Sequence, residues 1–357
     1  MADVVVTVRG EIPASDLGPT LCHEHCFIDL SPFFAGDDTP DAERPVEPWL
    51  LADLRARPFS TTRDNLVLAD ADVAARELAA FSGAGGGALV EVTPIGVGRD
   101  PQRLRALSEQ TGVAIVMGTG FYVEAMHPEW VRDRSADELA TVLVDDLVEG
   151  VDGIRAGVIG ELGVSGVRRD EDEKTEPITA EEEKVLRAGA RAALATGAAV
   201  TLHLDPREPR SALPALDVLA DEGLPPDRIV AGHMDVVHDL DYHRAVAARG
   251  VFLGYDQLGC EGYADELGPN FSWGQDAWRL AFVQALVDEG HARQLLFSQD
   301  VAMKMDLRTY GGRGYSHVLR WVVPTLERLG VPRAELDAIL VDNPAKAFAR
   351  RVVQARP

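Results

Sequence analysis

Short apolar runs alternate with longer amphipathic stretches from one end of the chain to the other, and this alternation limits its fold more than any other feature. Eight runs have the length of strands: Thr20–Ile28, Gly87–Thr93, Val113–Gly118, Gly157–Gly163, Ala198–Asp205, Arg228–His233, Val251–Asp256 and Gln294–Asp300. Helical patterns separate them, over Arg63–Phe81, Pro101–Gln110, Ser135–Gly150, Thr179–Thr196, Ala212–Glu222, Leu240–Arg249 and Gln275–Glu289. Two open with capping boxes, Ser135-x-x-Glu138 and Thr179-x-x-Glu182, where side chain and backbone satisfy each other's free amides. Tyr315–Leu329 and Arg333–Val352 follow the eighth run and can complete an outer ring. Eight strands, each followed by a helix, are the pattern of an α/β fold of the (β/α)8 or TIM-barrel type. A doubly wound sheet shares the alternation, but six strands would suit it better. Length alone would allow two domains; the strand count makes residues 1–357 one. Two long connections, 31–60 after the first strand and 301–315 after the eighth, would lie on the face where barrels place their chemistry.

Composition narrows the partners. The chain carries 58 acidic and 35 basic side chains, a net charge of −23. That balance argues against nucleic acid and anionic membrane surfaces, where phosphate contacts supply most of the affinity. No stretch of 18 apolar residues occurs, so no membrane span is expected. Three cysteines and no signal-peptide pattern point to the cytoplasm.

The chemistry is announced by where the histidines fall. Of nine, His23 and His25 lie on strand one, His203 on strand five and His233 on strand six. Glu161 ends strand four and Asp300 ends strand eight. Residues two apart on a strand share a face, so His23 and His25 can aim at one point inside the barrel while Cys22, Glu24 and Cys26 face the helices. Six such groups exceed the three that one open catalytic zinc keeps, and fit two divalent ions bridged by a carboxylate. His23, His25 and Asp300 would hold one ion, His203 and His233 the other, with Glu161 between. The expected reaction is hydrolysis by metal-bound hydroxide, Asp300 also taking the proton and passing it on.

The segments TVRGEIPASDLGPTLCHEH, GTGFY, AGVIGELGVSG, VTLHLD, VAGHMD, FSQD and GGRGYSHVL resemble the phosphotriesterase-related branch of the amidohydrolase superfamily, over essentially the whole chain. The resemblance implies a barrel with a binuclear metal centre, often zinc, and commonly a homodimer. Phosphotriesterases and related lactonases bridge their metals with a carboxylated lysine at the end of strand four; here Glu161 stands there, and no lysine precedes Lys174. After strand seven they carry His or Arg where this chain has Gln257, a candidate substrate contact that cannot take over either role. Tyr122 in GTGFY matches the lactonase tyrosine near the substrate carbonyl, plain loop packing being its other reading. The resemblance therefore favours a small lactone, ester or amide, ahead of a phosphotriester or phosphodiester. A barrel that binds a ligand without turnover is the reading from a different class.

Weaker signals leave choices open. Lys304, Arg308 and Arg313 follow strand eight, and either recognise an anionic substrate group or form surface salt bridges. Asp235, two residues after His233, either orients that ring or caps a helix. The remaining histidines, His127 among them, default to solvated or capping roles.

Overall fold

The computed structural model describes residues 3–166, 178–205, 211–267 and 271–350, together with the backbone of 168–169 and 174–175. Eight parallel strands form one sheet in sequential order: β1 (Thr20–Glu24), β2 (Ala88–Glu91), β3 (Ala114–Thr119), β4 (Val158–Val164), β5 (Val200–Leu204), β6 (Ile229–Ala231), β7 (Phe252–Tyr255) and β8 (Leu295–Phe297). Helices α1 (Ala71–Ser82), α2 (Pro101–Thr111), α3 (Ala136–Val148), α4 (Ala180–Thr196), α5 (Ala212–Asp221), α6 (Leu240–Ala247) and α7 (Asp276–Asp288) alternate with them, and α8 (Val323–Arg328) follows β8. This is the expected TIM barrel, and among the described residues no helix is long and apolar enough to cross a membrane. Both capping boxes form, at the starts of α3 and α4. The helical pattern over 63–81 is shorter than expected. Val67–Leu68 pairs antiparallel with Ile28–Asp29, and Asp70 caps α1 by accepting the amides of Asp72 and Val73.

Backbone pairing runs from β1 to β8, and side chains close the remaining seam. The Cys22 thiol donates to the Phe297 carbonyl at 3.0 Å, and the His23 amide to Ser298 Oγ at 3.1 Å. The Glu24 carboxylate accepts the Ser298 hydroxyl (2.7 Å) and the amides of Gln299 (2.8 Å) and Val301 (2.9 Å). Glu24 thus faces strand eight rather than the helices.

Two apolar layers result from alternation along the strands. Leu89, Ile115, Ile159, Val200 and Leu253 pack outward against the helices. Cys22, Val90, Val116, Val158, Val230, Phe252 and Leu296 fill the interior, one from nearly every strand. The floor is plugged by Val5 and Leu17 of the N-terminal segment and Phe348 near the C-terminus. Buried Arg228 pins that plug by donating to the carbonyls of Ala349 (2.8 Å) and Lys346 (2.7 Å).

Two strands break the alternation. Between the pairs Leu21–Leu89 and Glu24–Glu91, β1 takes three residue steps against two in β2. Between Ile159–Val200 and Leu162–Leu202, β4 does the same against β5. Such a bulge turns one extra side chain to the other face. It explains why Cys22 points into the barrel, contrary to expectation, and yet His23 points there too. In β4 it turns Glu161 inward. The neighbouring Gly160 has φ +135°, and a Cβ there would stand 2.5 Å from the Thr201 carbonyl, so no other residue fits.

Candidate metal centre and substrate cavity

The C-terminal ends of five strands bring His23, His25, Glu161, His203, His233 and Asp300 into one cluster. His203 arrives by regular alternation from Thr201, His23 and Glu161 arrive through the bulges, and His233 and Asp300 lie just beyond their strands in left-handed backbone. Three triads have candidate donor atoms within 4.8 Å of one another: His23, His25 and Glu161; Glu161, His203 and His233; and His23, His233 and Asp300. Glu161 belongs to two of them. Its Oε1 lies 3.6 Å from His25 Nε2, while Oε2 lies 3.3 Å from His23 Nε2 and 3.0 Å from His203 Nδ1. Asp300 Oδ1 lies 3.2 Å from His25 Nε2 and 3.7 Å from His23 Nε2. His233 Nε2 approaches His203 Nδ1 to 2.8 Å.

Three of the four imidazoles, His25, His203 and His233, turn one nitrogen to this centre and the other to a hydrogen-bond partner. His25 Nδ1 meets Thr93 Oγ1 at 2.8 Å, whose hydroxyl donates to buried Glu91 at 2.7 Å. His203 Nε2 meets the Tyr122 hydroxyl at 3.3 Å. Asp256 serves two rings, 2.9 Å from His233 Nδ1 and 3.5 Å from His23 Nδ1. Fixing the outer nitrogen selects the tautomer and aims the inner one, which is the usual support of a metal-bound histidine.

Burial would drive His25 and His233 towards neutrality. Against it, the Asp300 carboxylate 3.2 Å away and the charge of Glu161 hold His25 up at about 9, and the charge and hydrogen bond of Asp256 hold His233 up at about 10. Glu161 and Asp300 are held well below the usual carboxylate range, since His203, His23 and His25 outweigh the cost of burying their charge. Protons thus stand where a cation would. Buried His23 Nδ1 and Nε2 and Asp300 Oδ1 have no hydrogen-bond partner among the described residues, a costly state in a folded interior. Donors of this kind, four imidazoles and two carboxylates, fit divalent metal ions.

Two of these residues sit in left-handed backbone, His233 at φ 54° and Asp300 at φ 49°. Such conformations cost on the order of 1–3 kcal/mol and persist where surroundings impose them. Asp256 accepts the His233 amide at 2.9 Å, and Glu24 grips the amides on either side of Asp300.

A cavity of about 260 Å³ opens beside the cluster. Its wall is mostly apolar, with Phe33 and Phe59 from the 31–60 connection, Met303 and Met305 from 301–315, and Trp273. Tyr122, Gln257, His203, His233 and Asp300 also line it. Lys304 and Arg308 do not. Lys304 pairs with Asp64, Arg308 is exposed, and Arg313 pairs with Glu261. Asp235 neither caps a helix nor binds the His233 ring. Its carboxylate accepts the amides of Asp256 (3.2 Å) and Gln257 (3.1 Å), and buried Arg279 lies against it at 3.3 Å. His127 is also far from solvated, held between Glu181 and the Tyr122 carbonyl, each at 2.7 Å.

Asp256, Thr93 and Glu24 were not among the candidate residues. Asp256 carries a readable signal, since Phe252, Gly254 and Asp256 share one strand face and only the last is polar. Thr93 and Glu24 act through partners distant in sequence, which no local pattern reveals.

A barrel with metal-competent side chains gathered at its mouth beside a small cavity defines a class of metal-dependent hydrolases. A model of the Phosphotriesterase family matches residues 3–348, and the chain belongs to that family. It is 36% identical over 347 residues to the N-acetyltaurine hydrolase of Mus musculus, covering 95% of this chain and 96% of the other. It superposes on a resiniferatoxin-binding protein from Rhodobacter sphaeroides with TM-score 0.89 and 38% identity, over 97% and 95% of the two chains. A lactonase from Listeria monocytogenes matches with TM-score 0.77 and 26% identity, over 98% and 99%. The protein is a hydrolase, of a metal-dependent family, with a cluster that could hold metal ions.

Proposed function

We propose that this enzyme hydrolyses a small carbonyl compound (a lactone, ester or amide) with two divalent ions, zinc the first choice, held by His23, His25, Glu161, His203, His233 and Asp300. The observation that carries the reading is the sharing of Glu161 between two triads, three of whose four imidazoles are hydrogen-bonded from behind. Bound ions would supply an acidified water and polarise the substrate carbonyl. Asp300, on the cavity wall with one unpartnered oxygen, accepts the proton of the attacking water and delivers it to the leaving group. Tyr122, against the His203 ring, orients the carbonyl, and the aromatic and Met side chains enclose the acyl group. A volume of about 260 Å³ suits a substrate below the size of those that fill pockets of about 300–1,000 Å³.

The named relatives include a hydrolase of an N-acetyl amine and a lactonase, which supports carbonyl over phosphoryl chemistry. With Lys304 and Arg308 outside the cavity, an apolar acyl group fits its wall better than an anionic one. The test is a metal-reconstituted assay against parallel panels of lactones, esters, N-acyl amides and aryl phosphotriesters. Highest kcat/KM within the carbonyl panels is expected; highest kcat/KM for phosphotriesters would overturn the assignment. The acidic charge and the reading of the chain as a cytoplasmic homodimer without nucleic-acid partners belong to the same proposal, which sedimentation would check.

A further inference from the structure

Gln257 is buried, lines the cavity and is fixed at both ends. Its backbone amide donates to Asp235, and its side-chain Nε2 donates to Asp300 Oδ2 and lies 3.4 Å from His233 Nδ1. The carboxylate of Asp300 accepts only, so the amide group must present its N–H₂ end there. Oε1 is then left without a hydrogen-bond partner among the described residues, on a side chain that faces the cavity. An acceptor open to the cavity selects for a ligand that brings a donor, because a ligand that fills the cavity without one buries it unpaired.

The position of this acceptor decides which donor. Asp300 is the residue that hands a proton to the leaving group, and Gln257 Oε1 belongs to the same amide group that touches Asp300. The leaving atom of the substrate therefore lies against both. We infer that Gln257 makes this site selective for secondary amides, its Oε1 accepting the N–H of the scissile bond. This rests on the carbonyl hydrolysis proposed above and narrows its substrate class. The balance is that of amide hydrolysis: water oxygen bonds to the carbonyl carbon, the C–N bond breaks, and the water proton passes through Asp300 to the nitrogen. The products are a carboxylic acid and a primary amine. Throughout, the original N–H stays on Gln257 while the nitrogen lone pair accepts from Asp300. An ester or lactone oxygen offers no hydrogen and turns lone pairs towards Oε1; an N-methyl amide offers a methyl group instead.

The experiment uses one acyl group in three compounds: a secondary amide, its N-methyl derivative and the corresponding ester. Each is assayed with the metal-loaded wild-type enzyme and with Gln257→Met, which keeps the side-chain length but removes both donor and acceptor. The ratio of kcat/KM for the secondary amide over its N-methyl derivative should fall roughly 10- to 100-fold in the variant, the range expected when one buried hydrogen bond is lost. Both compounds expel a nitrogen leaving group, so any loss that comes from freeing Asp300 is common to them and cancels in the ratio. Calorimetry on wild-type protein stripped of metal supplies a reading independent of turnover. There the secondary amide should bind about tenfold or more tightly than its N-methyl derivative. An unchanged ratio in a folded variant overturns the inference, as do equal affinities or no binding of either amide. If Gln257→Met does not fold, the wild-type affinities decide alone. Absence of turnover of all three compounds by loaded wild-type enzyme would overturn the hydrolytic proposal instead, with calorimetry still deciding the part played by Gln257.

Discussion

The two ends of this barrel are built by opposite rules. The floor is Val5, Leu17, Phe252 and Phe348, apolar and close-packed, with Arg228 as a buried polar clamp whose donors are used. The mouth gathers four imidazoles and two carboxylates, leaves His23 and one oxygen of Asp300 without hydrogen bonds, and holds two residues in left-handed backbone. One end supplies stability, and the other spends some of it on a constellation of donors that could hold metal ions. The contrast also separates strands: β5 delivers His203 by plain alternation, whereas β1 and β4 need a bulge.

Mutations should divide along the same line. Asp300→Asn at the mouth is expected to lower kcat by roughly 10²- to 10⁴-fold while metal content, read by elemental analysis, stays near the wild-type level. Loss of both ions from that variant would mean that Asp300 matters for ligation before proton transfer. Phe348→Ala at the floor should do the reverse. Truncating a buried Phe costs about 3–5 kcal/mol, seen as a lower denaturation midpoint, with kcat of the folded enzyme unchanged. A fall in kcat with no loss of stability would erase the distinction between the two ends. Smaller still is the effect of Thr93→Val, which removes the partner of His25 Nδ1 but keeps the side-chain shape. Metal affinity, measured by competition with a chelator, should fall about 10- to 100-fold. An unchanged affinity would show that His25 is aimed by packing alone.

Much of this contrast could be read before the structure. The eight strands, the ring of helices and the two capping boxes follow from periodicity and local hydrogen bonding, which depend on near neighbours. The six mouth residues were visible because strand ends converge in a barrel. What escaped depends on register. Cys22 lies inside, not outside, because strand one carries an extra residue that no count along one strand detects. Glu24 crosses the seam to hold the Asp300 backbone, and Asp256 stands between His23 and His233, contacts between strands far apart in the chain. Lys304 and Arg308 looked like an anion site from their density in one loop, but Asp64 holds Lys304 and solvent surrounds Arg308. Pairing of surface charges is set by which loops meet, and loop conformation is the part of a fold that sequence pattern specifies least.

The central claim is that the mouth holds two ions through a shared Glu161. Elemental analysis of the purified, metal-reconstituted protein beside Glu161→Gln tests it most directly. Close to two ions per chain in the wild type, with loss of at least one in Glu161→Gln, is the expected result. A single ion or none in the wild type, or two ions retained without the Glu161 carboxylate, would contradict it.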